Sequence, residues 1–76
     1  MNNESDILIY VNDERAAAGL EGIRTALSTR AGVTGASVLP KVKRVIHVNY
    51  DPQTVDTQSL LATVRSQGVD ARLVGL

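Results

Sequence analysis

Two helical stripes set among β-branched runs most constrain how this chain can fold. Leu20, Ile23 and Leu27 recur at spacings of three and four, which buries one face of a helix. Ala31-Gly32 ends that helix, because glycine takes a left-handed cap conformation cheaply. A second stripe contains Leu60, Leu61 and Val64; Asp56 is placed to cap it and Gly68 to stop it. Apolar β-forming runs at residues 7–11, 34–39, 42–50 and 71–74 read as strands. Pro40 and Lys41 mark a turn between the middle two, and Asp51-Pro52 ends the third because proline lacks a ladder donor.

The resulting order is βαββαβ. It predicts an α+β, ferredoxin-like two-layer sandwich, with a four-stranded antiparallel sheet and two helices on one face. Residues 1–76 are expected to form one domain, with residues 1–6 as a flexible N-terminus. At 76 residues, with no Cys, Phe or Trp, the core must be aliphatic and cannot be stapled by disulfides. Eight acidic and eight basic residues cancel, so no net field draws nucleic acid or an anionic membrane. The polar, acidic start is unlike a signal peptide, and no apolar run reaches the length of a membrane span. The expected location is cytoplasmic.

Conserving the spacing of core residues, Gly32-Val33-x-x-Ala36-x-Val38, Val48-x-Tyr50-Asp51-Pro52 and Leu60-x-x-x-Val64-x-x-x-Gly68-x-x-Ala71 together form a pattern. It resembles the heavy-metal-associated domain family, which includes copper chaperones, periplasmic mercury-binding proteins and N-terminal modules of metal-pumping ATPases. The resemblance runs from about Ile7 to Val74 and implies a metal carrier's scaffold. It also places the family's two cysteines on Ala16 and Gly19, its frequent preceding methionine on Glu14, and the aromatic after the second-helix glycine on Val69. Soft ions such as Cu(I) need thiolates, and Zn(II) needs thiolates or imidazoles. A methyl group and a hydrogen supply neither, so no soft metal and no cofactor are expected.

Non-cysteine ligands are the alternative for a metal carrier. Asp13 and Glu14 offer oxygens in the loop and His47 is the only imidazole. Adjacent loop carboxylates rarely converge on one ion, and an acidic residue ahead of a helix more simply caps it. Alternation turns His47 away from the helices, where a solvent-facing strand histidine is the simplest role.

The same alternation puts Leu8, Tyr10, Leu39, Val45 and Val74 on the sheet face opposite the helices, beside Ser37, His47 and Arg72. A solvated sheet face should be polar, so several apolar residues there point to an interaction surface. The expected partner is another protein or a second copy, with Tyr10 as its aromatic anchor. Lys41, Lys43 and Arg44 read as a solvated basic turn. RNA recognition on this topology uses strand-one and strand-three aromatics, and this chain has no Phe and no Gly-Phe-Gly-Phe-like motif. No nucleophile–base pair or phosphate-cradling loop stands out, so the reading is a binding module rather than an enzyme.

Overall fold

The computed structural model describes residues 4–13 and 19–74. β1 (Ser5–Val11) is followed by α1 (Leu20–Ser28), β2 (Val33–Val38), β3 (Val45–Tyr50), α2 (Thr57–Arg65) and β4 (Ala71–Val74). The strands form one antiparallel sheet in the order β2-β3-β1-β4, so the two strands that lead into helices, β1 and β3, lie at its centre. This is the expected βαββαβ sandwich.

Register decides which side chains share a face, because directly opposed residues of antiparallel strands point the same way. Ile7 pairs with Val48, Ile9 with Ile46 and Leu73, Val11 with Ala71, and Ala36 with Val48. This face meets the stripes of α1 (Leu20, Ile23, Leu27) and α2 (Leu60, Leu61, Val64), closed at one end by Val55 and Tyr50. Ile9, Leu27, Ile46, Leu60, Val11, Val48 and Val64 are fully buried, and no polar side chain is buried among the described residues. Aliphatic packing therefore fills this core, with Tyr50 its one aromatic.

Several boundaries differ from the sequence reading. β1 begins at Ser5 rather than residue 7, because Ser5 and Asp6 find ladder partners in Tyr50 and Asn49. The part of residues 1–6 expected to be flexible thus includes two strand residues, while residues 1–3 lie outside the described set. α1 ends at Ser28 with Thr29 as its C-cap, ahead of Gly32. β3 starts at Val45, not at residue 42. Arg44 immediately before it has φ 57°, the one left-handed non-glycine among the described residues, and this breaks the extended run.

Gly32 is needed for two reasons. Its φ is +91°, and a Cβ there would lie 2.8 Å from Val55 Cγ1 and 3.0 Å from Thr54 Cβ. Its carbonyl accepts the Asp51 amide at 2.7 Å, which ties the turn after α1 to the turn after β3. α2 begins as read: the Asp56 carboxylate accepts the Ser59 amide at 2.8 Å.

Candidate functional site

Two places follow from the sequence, the loop between β1 and α1 and the sheet face that no helix covers. The loop leaves the sheet at Val11, and the Asn12 amide donates to the Asp70 carbonyl at 2.8 Å. Asp13 is half-buried. Glu14 and Ala16 lie outside the described residues. Gly19 is the N-cap of α1 and makes no side-chain cap hydrogen bond. Residues 14–18, whose amides Asp13 would cap, lie outside the described residues, as does the expected capping contact.

The donor chemistry of this loop does not fit a soft cation. Gly19 has no side chain, the chain has no cysteine, and a Cβ built on Gly19 would meet nothing within 4 Å. Among the described residues no group of three or more His, Cys, Asp or Glu side chains is placed to hold a metal ion. His47 does not join Asp13. It pairs with Leu8 in mid-sheet, three residues or roughly 10 Å back from Val11, where β1 ends.

The uncovered face is built by register. Leu8 lies opposite His47 and Val74, Tyr10 opposite Val45 and Arg72, and Ser37 opposite His47. Leu39 continues β2 beside Val45, to whose carbonyl its amide donates at 3.0 Å. The five apolar residues thus share one face, but they do not form a bare patch. Leu8, Tyr10, Leu39 and Val74 are half-buried, and Val45 is only 6% exposed. Val45 is in this respect a floor residue, not an open anchor. The one large apolar residue exposed among those described is Val42, at the turn.

Polar side chains cover that floor. The Arg44 guanidinium lies 5.6 Å from the centroid of the Tyr10 ring and the Arg72 guanidinium 5.3 Å from it. Arg44 Nη2 donates to the Tyr10 hydroxyl at 2.9 Å and its Nε to the Val11 carbonyl at 3.1 Å, while the Val11 amide donates to the Arg44 carbonyl at 2.8 Å. The reading of Arg44 as part of a solvated turn is corrected by these contacts. Left-handed backbone turns it back over β1, whereas Lys41 and Lys43 stay exposed. Neither Arg44 nor Arg72 forms an ion pair with a described carboxylate. At the other end of the face, His47 Nε2 and Asp6 Oδ2 are 3.0 Å apart, and Glu4 accepts the Thr34 hydroxyl at 2.6 Å.

Asp6, Arg44 and Arg72 are the members of this face that sequence reasoning missed as site residues. Alternation placed Arg72 on it. The stacking of both guanidiniums on Tyr10 depends on the β1–β4 register and on the backbone of Arg44, neither of which leaves a local signal.

Fold and sheet order together define a ferredoxin-like βαββαβ sandwich, the architecture of solved heavy-metal-associated domains, in a chain without cysteine. Solved structures of that class share the architecture. The yeast copper transporter domain, determined in apo and Cu(I)-loaded states, is 23% identical, with 91% of this chain and 93% of that chain covered and a TM-score of 0.76. Oxidized MerP from Ralstonia metallidurans is 18% identical over 92% of this chain and 96% of that chain, with a TM-score of 0.81. The Cu(I)-loaded N-terminal domain of a potential copper-translocating P-type ATPase from Bacillus subtilis is 22% identical, with 95% and 89% covered and a TM-score of 0.82. No family model matches the sequence, and no curated protein matches it. At these identities the likeness establishes the fold.

Proposed function

We propose that this chain is a heavy-metal-associated-like binding module that works by docking through its uncovered sheet face, without the soft-metal chemistry of its structural neighbours. One observation carries the reading. Two guanidiniums converge on Tyr10, over an apolar floor, with no carboxylate of the described residues to neutralise them. A tyrosine and arginines are side chains that recur as anchors at protein interfaces. Arg44 is held there by left-handed backbone, which costs a non-glycine residue about 1–2 kcal/mol. Such strain persists where the surroundings over-determine it, and this pre-sets the cation for a partner.

The metal-carrier reading is favoured by the copper and mercury proteins that share the fold. It lacks donor atoms here: Ala16 and Gly19 replace the thiolates, and Asp13 and His47 lie apart.

Site-specific photo-crosslinking separates docking surfaces. A photoreactive side chain at Ser37, on the uncovered face, is expected to give discrete protein adducts. The same group at Thr25 or Gln58, on the exposed sides of α1 and α2, is expected to give none. Adducts from the helical positions alone would refute the proposal.

A further inference from the structure

We infer that the occupant of this face is a second copy of the chain, packed face to face with strands antiparallel; this rests on the docking role proposed above. The strand pairings arrange the face in rows. Ser37, His47, Leu8 and Val74 form a central row, flanked on one side by Gly35, Asn49 and Asp6 and on the other by Leu39, Val45, Tyr10 and Arg72. The charges are segregated along the strand direction. Glu4 and Asp6 occupy one end and Arg44 and Arg72 the other, with Asp6 and Tyr10 four residues apart on β1, or roughly 14 Å.

Two aligned sheets can be stacked by a two-fold axis in only two simple ways. An axis parallel to the strands places each row over its own copy, so the basic end meets the basic end and the acidic end meets the acidic end. An axis along the central row instead places the acidic end of each copy over the basic end of the other. Asp6 of each copy then faces Tyr10 of the other, beside the Arg44 and Arg72 guanidiniums that lie against that ring. Leu8 stacks on its own equivalent at the axis, and Gly35, which has no side chain, lies under the other copy's Leu39. Charge order selects the second arrangement, and the size match of Gly35 with Leu39 agrees with it. The face carries its own complement, which explains why two arginines are left without carboxylates in a chain of zero net charge.

Sedimentation velocity over about 10 μM to 1 mM, at roughly 50 mM salt where exposed charges are less screened, reads this directly. The wild-type chain is expected to move from monomer to dimer and to return toward monomer as salt is raised. Asp6→Arg and Arg72→Asp, each checked for folding by circular dichroism, should each weaken the dimer at least about tenfold by juxtaposing like charges. One variant then has cations at both ends and the other carboxylates at both ends, so an equimolar mixture should regain the dimer. A wild-type chain still monomeric at the highest concentration overturns the inference, as does a dimer that both variants keep. Monomers together with Ser37 crosslinks to a different protein would overturn the second copy alone and leave the docking face standing. Monomers without sheet-face adducts would remove both.

Discussion

Replacing Arg44 with alanine and, separately, with glycine tests whether its left-handed backbone is a real constraint. Both substitutions delete the same contacts: the hydrogen bonds to the Val11 carbonyl and the Tyr10 hydroxyl, and the approach of the guanidinium to the ring. For a half-exposed charged donor those contacts are worth about 1–3 kcal/mol together. The two variants differ in the backbone. Alanine at φ 57° keeps the penalty of about 1–2 kcal/mol that any L side chain incurs there. Glycine removes that penalty but makes the unfolded chain freer, which costs about 0.4–1 kcal/mol. Arg44→Gly should therefore lie above Arg44→Ala by about 0.5–1 kcal/mol, with both below the wild type. In a domain of this size that gap is about 2–8 °C in Tm. Urea titrations of the three proteins, with equal m-values, give the comparison. An alanine variant as stable as the glycine variant would refute the strained conformation, and with it the argument that Arg44 is pre-set over Tyr10.

Further outcomes follow from other parts of the fold. Gly32→Ala should destabilise by about 2–4 kcal/mol, since it adds a clash with the buried Val55 to left-handed strain. Gly68→Ala, at φ +86° with open space around it, should cost only about 1 kcal/mol, and equal losses at both sites would remove the packing argument. The Asp56 carboxyl is held below its ordinary value by hydrogen bonds from Ser59, its backbone amide first. The unfolded chain binds that proton more readily, so the contribution is complete above the ordinary carboxylate range and is lost as pH falls through the lowered value. The stability gap between wild type and Asp56→Ala should accordingly narrow below about pH 4 in urea titrations, and a constant gap down to about pH 2 would contradict the cap. Installing Ala16→Cys with Gly19→Cys should create stoichiometric Cu(I) binding, measured by competition with a chromogenic chelator, because a side chain at position 19 has free space. Equal Cu(I) binding by the unaltered chain would show that other ligands serve.

Much of the fold was legible because it rests on local periodicity. The stripes of Leu20, Ile23, Leu27 and of Leu60, Leu61, Val64 place two helices with no knowledge of what they pack against. The Asp56 cap is likewise a contact between residues three apart. Errors arose where a distant partner overrides local preference. Ser5 and Asp6 look like tail residues until Tyr50 and Asn49 supply their ladder. Residues 42–44 look extended, yet Val11 pins Arg44 by hydrogen bonds at both its backbone and its side chain.

For function the division falls in the same place. The sequence by itself determined that no thiolate site exists, since a missing atom type needs no structure to establish. It also determined which residues alternate onto the uncovered face, because a strand's side-chain period is two. Tertiary structure decided what that face is made of. Strand register stacks Arg72 on Tyr10, a left-handed residue brings Arg44 onto the same ring, and Asp6 and His47 meet across two strands. Each of those contacts joins residues more than thirty positions apart, so its energy depends on sheet order and register, which no local stretch of sequence specifies.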